Sequence, residues 1–425
     1  VPPTRRLRAL AALGALALAA ALHTAERPAA AGPLGHPAVV GADPADWTPH
    51  VLDGTVKSIV RVGGTVYAAG SFERVSTPDR SRTVRRSNVF AFEHGTGRIL
   101  DFAPEVDGTV ASLAAADGGV FIGGAFTEVN GVERRGAALL AGDGRLRSDF
   151  DARLDGGSVY RLARHGGSLY LAGSFRSAGG SSGPGLARVD AGTGAADPSF
   201  AVRIAEPRRG TLRAQDMALS PDGRRLVVGG TFTRVDGEPR HQIAMVDTAA
   251  SPARLADWST EAYAAPCDYS RMHTYIRQID FAPDGSYFAV ATTGGPDPEP
   301  GLCKTVARWE SGGGPGSEPT WVNRTGGDSL YAVAATGAAV YVGGHQRWMD
   351  NPEGRGDAGP GAVPREGIAA VDPETGKALP WNPGRARGHG VEALTPTEDG
   401  LYVGSDTTRL GGERRDRIGM FPLPS

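Results

Sequence analysis

The stretch FAPEVDGTVASLAAADGGVFIGGAFTEVNGVERRGAALLAGDGRLRSD, from Phe102 to Asp149, is one copy of a pattern that the chain repeats seven times. An aromatic residue opens the unit, two or three residues before a proline or polar position. From Thr109 to Ala115, Val110, Ser112 and Ala114 alternate with Ala111, Leu113 and Ala115, the period of a strand. Gly118-Gly119 supplies a tight turn, where the missing Cβ admits positive φ. Val120 to Ile122 forms the next strand, and Gly123-Gly124 at its end marks a bulge or a close backbone approach. Ala137 to Ala141 reads as a third strand, and AGDGRL turns into a fourth that ends at Phe150.

Equivalent openings fall at Trp47, Phe102, Phe150, Phe200, Trp258, Trp321 and Trp381, at spacings of 55, 48, 50, 58, 63 and 60 residues. That period is too long for leucine-rich or ankyrin units and falls in the range of β-propeller blades. The predicted fold class is all-β: a seven-bladed β-propeller of four-stranded antiparallel blades. The seventh unit stops after its third strand, Arg417 to Phe421, while ADWTPHVL at Ala45 to Leu52 resembles the unit junctions. The amino-terminal segment is therefore expected to supply the missing strand of the last blade, removing two free edges. Six or eight blades, or a different all-β arrangement, are the alternatives. The pattern VDGTV, GGVFIGGAFTEVNG and a following Asp/Thr-Gly turn resembles the bacterial delta-60 repeat, kelch-like β-propeller proteins of exported actinobacterial type. The resemblance extends over Trp47 to Phe421 and is weakest in the fifth unit, which reads AVATTGG in place of GGxF. It implies a fold and export far more than an activity.

Arg5, Arg6 and Arg8 precede an Ala/Leu/Gly run from Ala9 to Leu22, with small residues at Ala29 to Ala31, the layout of an export signal. The apolar run is shorter than the roughly 20 residues that span a bilayer. The domain expectation is a signal peptide over 1–31, a flexible leader over 32–44 and the propeller over 45–425, in a secreted, extracellular or cell-wall-associated monomer without a transmembrane span. A formal net charge of −2 and the lack of a basic stripe argue against nucleic acid as a partner. The two cysteines, Cys267 and Cys303, are expected to form a disulfide in an exported chain.

Departures from the repeat are where a site is sought. The fifth unit carries Asp268, Tyr269, Arg271 and His273 beside Cys267. In the sixth, His345, Gln346, Arg347 and Trp348 replace the GGxF stop, and the seventh adds Arg385, Arg387, His389 and Asp406. A tryptophan beside arginine and histidine on a rim loop suits sugar or peptide recognition, the ring giving an apolar face and Gln and Arg giving donors. The competing reading packs Trp348 against a neighbouring blade. No nucleophile elbow, zinc-protease helix, P-loop or dinucleotide fingerprint occurs. No cofactor is implied: fragments such as Asp372 to Gly376 hint at calcium but read better as Asp-Gly turns. The expected function is a secreted or cell-surface binding module for an extracellular glycan, a cell-wall component or a protein. The alternatives are a polysaccharide lyase or hydrolase with a site at the central channel, using pairs such as His273 with Asp268, and a structural surface protein.

Overall fold

A computed structural model describes residues 1, 35–181, 183–267, 272–294 and 301–424. The expected signal peptide, apart from residue 1, and residues 32–34 of the leader lie outside these residues. Every regular element described is a β-strand, and none is a helix long and apolar enough to cross a membrane.

Seven sheets repeat one plan. The first is Thr55–Val62, Thr65–Ser71 and Val89–Glu93; the second is Val110–Ala116, Gly119–Gly124 and Ala137–Ala141. The inner strands of the third to seventh sheets are Val159–His165, Ala214–Leu219, Ile276–Phe281, Leu330–Ala335 and Val391–Thr397. Each pairs antiparallel with the strand that follows it. Each inner strand packs against that of the next sheet, and Val391–Thr397 lies against Thr55–Val62. Seven clusters of buried apolar side chains fill the junctions. One of them, for example, joins Phe121 and Phe150 to Leu162 and Leu171.

The Gly-Gly pairs have a steric reason. At Gly123 a Cβ would stand 2.8 Å from Val159 Cγ1 of the third sheet, and at Gly343 it would stand 2.5 Å from Val391 Cβ of the seventh. The first glycine thus lets the next sheet's inner strand approach. At the second, Gly124, a Cβ would meet the Thr109 carbonyl oxygen at 2.0 Å, where the inner strand bulges.

Hydrogen bonding corrects the predicted architecture. The expected seven-bladed β-propeller of four-stranded antiparallel blades, closed by an N-terminal strand in the last blade, is not what the strands form. Among the described residues they make twelve separate sheets of two to four strands; only two have four, and none curls or closes on itself. In the first, second, third and sixth sheets the expected fourth strand shrinks to one isolated bridge, such as Phe92 with Ile99 or Val371 with Ala378. Prolines after three of these bridges, Pro104, Pro198 and Pro380, bring no N–H with which to extend a ladder. The strand nearest the amino terminus, His50–Val51, pairs with Arg74–Ser76 rather than with Ile418–Pro422. The segment before it only runs beside the last strand, through Gly41 N–H to Pro422 O and Ala45 N–H to Met420 O, both 2.8 Å. The binding module and the channel enzyme inferred from that architecture lose their ground, because among the described residues no sheet closes on itself to form a channel wall; the structural surface role, inferred from the same fold, falls with them. The disulfide is real: Cys267 and Cys303 are joined, with Cα atoms 6.0 Å apart, inside the cluster of Trp258, Tyr263, Tyr275 and Trp309.

Candidate functional site

Separate sheets still communicate through side chains on their inner strands. Ser58 Oγ accepts the Leu113 N–H at 3.0 Å, and Ser112 Oγ accepts the Leu162 N–H at 2.9 Å. Gln278 Oε1 does the same for Val333 at 2.7 Å, and Thr395 donates to the Ile59 carbonyl at 2.9 Å. Each bond satisfies a backbone group on the neighbouring sheet.

At the third and fourth sheets this position becomes ionic. Asp216 takes the place of Ser58 and Ser112, and its Oδ2 accepts the Ile279 N–H at 2.7 Å. Its Oδ1 lies 2.9 Å from Arg161 Nε, and Arg161 occupies the equivalent position on the third sheet. Asp216 is buried, and desolvation pushes its carboxyl up to about 6 against the pull of Arg161. Asp280, on the fifth inner strand, accepts the Ala335 N–H on Oδ2 at 2.8 Å. Burial raises Asp280 to about 7, with Arg161 opposing and the negative charge of Asp216 adding to the rise. Arg161 thus pairs with Asp216 while its charge also reaches Asp280, and Asp280 holds its proton up to neutrality.

Arg161 and Asp280 line an open cavity of about 640 Å³ between inner strands of six sheets. Leu113, Ala163, Ala218 and Met217 give it an apolar surface, while Arg61, Arg164, His165 and Glu398 stand around it. Arg61 is already paired with Glu398 and Asp399, and Arg164 with Asp117 at 2.7 Å. Arg161 uses only Nε on Asp216, so its two terminal nitrogens make no hydrogen bond among the described residues. Sequence reasoning passed over Arg161, Asp216 and Asp280 because each sits inside a run read as plain strand. The available signal was a charge interrupting the composition that the second and sixth inner strands, VASLAAA and LYAVAA, keep, in YRLAR, QDMAL and RQIDF.

The residues singled out from the repeat's departures lie elsewhere. Arg347 Nε meets Asp328 Oδ2 at 2.9 Å, and Arg387 Nη2 reaches Asp328 Oδ1 at 3.5 Å. The Arg347 guanidinium lies 4.3 Å from the Trp348 ring centroid, and Trp348 belongs to the two-residue strand paired with Val363–Pro364. His345 Nδ1 contacts the Gly388 carbonyl at 2.8 Å. His389 Nε2 pairs with Glu392 Oε1 at 3.1 Å, and its ring stacks on Tyr331 at 4.7 Å. Asp406 is taken up by the backbone N–H groups of His389 and Gly390, so it orients this loop and forms no side-chain pair with His389.

Two others are internal. Gln346 is fully buried, with no partner for its side-chain amide among the described residues. Arg385 is buried among the carbonyls of Gly344, Gly367, Ala386 and Arg387. Desolvation lowers it to about 10. His273 rests against Gly210 and makes no hydrogen bond or ion pair among the described residues. Asp268, Tyr269 and Arg271 lie outside the described residues. Asp372 Oδ1 accepts the N–H groups of Glu374 and Thr375 at 3.0 and 2.7 Å, the bonding of a turn. Among the described residues no group of three or more His, Cys, Asp or Glu side chains is placed to hold a metal ion.

Comparison with known proteins narrows the kinship. Residues 167–200 match a family described as "Domain of unknown function (DUF5122) beta-propeller". The match covers 34 residues, so the resemblance to delta-60 repeat, kelch-like proteins across Trp47 to Phe421 is corrected to this segment of the third unit. No curated protein matches the chain. Among solved structures, the crystal structure of the computationally designed Ika8 protein is similar at 13% identity and a TM-score of 0.46, covering 88% of this chain and 97% of that one.

Proposed function

We propose that the protein binds a small carboxylate-bearing solute in the cavity beside Arg161. The observation that carries this reading is the half-spent guanidinium. Asp216 fixes Arg161 through Nε, while the two terminal nitrogens at the cavity wall keep the fork geometry that takes a carboxylate bidentately. Asp280 beside it, protonated up to about pH 7, is a donor to the same ligand group rather than a repelling charge. The volume and the apolar wall of Leu113, Ala218 and Met217 suit an organic acid with a hydrocarbon body.

Binding is proton-linked on this reading. Above pH 7 Asp280 ionises, withdraws its donor and repels the ligand, so affinity falls as pH rises. Calorimetric titration with octanoate at pH 6 and pH 8, in parallel with octanamide, tests it. Octanoate is expected to bind several-fold more tightly at pH 6, octanamide not to bind, and Arg161→Gln to lose about tenfold or more. Because His165 also lines the cavity, Asp280→Asn and His165→Gln are compared; only the former is expected to flatten the pH dependence. Equal affinity of Arg161→Gln and the parent protein overturns the reading.

A further inference from the structure

Each of the seven inner strands bulges once near its start. The bulged residues are Lys57, Ala111, Tyr160, Gln215, Arg277, Tyr331 and Glu392. A bulge leaves its extra residue out of the ladder and re-aims the side chain. Four of these residues, from the fifth, sixth, seventh and first sheets, converge. Lys57 Nζ lies 3.2 Å from Glu392 Oε2, and the other Glu392 oxygen takes His389. His389 lies nearly parallel to the Tyr331 ring, at 16°. Arg277 interacts electrostatically with Tyr331, Glu392 and Arg213.

The charges do not balance. Arg277, Arg213 and Lys57 stand against Glu392 and Asp406; Glu392 is already shared by Lys57 and His389, and Asp406 is taken up by the backbone N–H groups of His389 and Gly390. Arg277 has no carboxylate partner among the described residues. Its Nη1 reaches only the carbonyls of Thr274 and Ile276, at 3.2 and 3.3 Å, while desolvation lowers it to about 10. Arg213 Nε is buried with no hydrogen-bond partner among the described residues. Two guanidiniums held near one another, neither paired with a carboxylate among the described residues, form an electrostatic well for an anion.

We infer that this rim binds a tetrahedral oxyanion, a phosphate or sulfate group, with Arg277 and Arg213 as its charge partners and the Tyr331 hydroxyl as a further donor. His389 positions Tyr331 by stacking on it, and Glu392 holds His389 and Lys57 in place. The site is separate from the Arg161 cavity, and its evidence does not depend on that reading.

Calorimetric titration of the full chain with inorganic phosphate, and separately with sulfate, at constant ionic strength set by chloride tests the inference. Saturable binding is expected, weakened about tenfold or more by Arg277→Gln and partly restored by Arg277→Lys. Tyr331→Phe keeps the ring that stacks on His389 and removes the hydroxyl; a loss of several-fold is expected, which keeps the test usable if Arg277→Gln does not fold. Arg161→Gln is expected to leave phosphate binding unchanged and Arg277→Gln to leave octanoate binding unchanged, so the two sites fail independently. Phenyl phosphate separates the sources: tighter binding than inorganic phosphate identifies an ester ligand, and equal binding the free ion. Absence of heat with both anions, or an Arg277→Gln variant that binds like the parent, overturns the inference.

Discussion

Arg385 donates through Nη1 to Thr407 Oγ1 at 3.2 Å, and together they fill a volume that the second unit fills with hydrocarbon. Arg385 bridges Leu410 as Val106 bridges Val129, and Thr407 follows Ser405-Asp406 as Phe126 follows Gly124-Ala125. In the second unit Val106 and Phe126 share one apolar cluster. In the seventh, phenylalanine has become threonine, valine has become arginine, and the guanidinium is satisfied by four carbonyls and a hydroxyl.

These exchanges are coupled, so their substitutions are expected not to add. Arg385→Val alone strips hydrogen bonds from buried carbonyls and leaves a void, a loss of about 2–4 kcal/mol. Thr407→Phe alone collides with the guanidinium. The double variant Arg385→Val with Thr407→Phe restores the apolar pair and is expected to be more stable than either single one. Urea unfolding of the four proteins measures the coupling; strictly additive losses contradict it.

The inter-sheet bonds differ in weight. Ser58→Ala and Ser112→Ala each leave one backbone N–H, of Leu113 or Leu162, without its acceptor, and a loss of about 1 kcal/mol apiece is expected. Asp216→Ala removes an acceptor from Ile279 and the partner of Arg161 together, so about 3–5 kcal/mol is expected. Denaturant midpoints rank the three, and equal losses contradict the ionic role given to Asp216.

The repeat announced the seven hairpins because its glycines answer to geometry: Gly123 admits Val159, and Gly343 admits Val391. The fourth strands misled, because a strand-like composition after each Asp-Gly turn does not reveal that the chain leaves the ladder after one bridge. The sixth- and seventh-unit departures did mark polar residues that meet around Asp328 and Glu392, yet the same rule also selected Gln346 and Arg385, which are interior. Departure from a repeat registers a changed environment, whether that environment faces solvent or core. Arg161 and Asp280 escaped because strand alternation tolerates a charge on any face. Only the packing of inner strands decides that these positions meet.

Closing the 36-residue span between Cys267 and Cys303 restricts the unfolded chain, a stabilisation of roughly 4 kcal/mol on the loop-entropy estimate. Both sulfurs are buried in the cluster of Trp258, Tyr263 and Trp309, so replacement also removes packing. Cys267→Ala with Cys303→Ala is expected to lower stability by about 2–5 kcal/mol, read from urea unfolding under oxidising conditions. A loss below about 1 kcal/mol contradicts a structural role.

Asp280 makes stability depend on pH in an unusual direction. Its folded-state value of about 7 lies above the ordinary carboxyl value of 3.8, so between those limits the folded protein binds more protons than the unfolded chain. The contribution is therefore fully present below about pH 4, declines as pH rises, and is gone above about pH 7. Asp216, raised to about 6, acts with the same sign over a narrower window. Carboxyls held low, such as Asp79 at about 2 through its bonds to Thr77 and Ser81, act oppositely, but only as pH falls below about 4. Asp280→Asn keeps an oxygen for the Ala335 N–H while removing the titration. The difference in melting temperature, variant minus parent, is expected to grow steadily from pH 4 to pH 7 and then level off. A difference that stays constant across that interval means that Asp280 ionises normally in the folded protein, and it would remove the protonated donor from the carboxylate site.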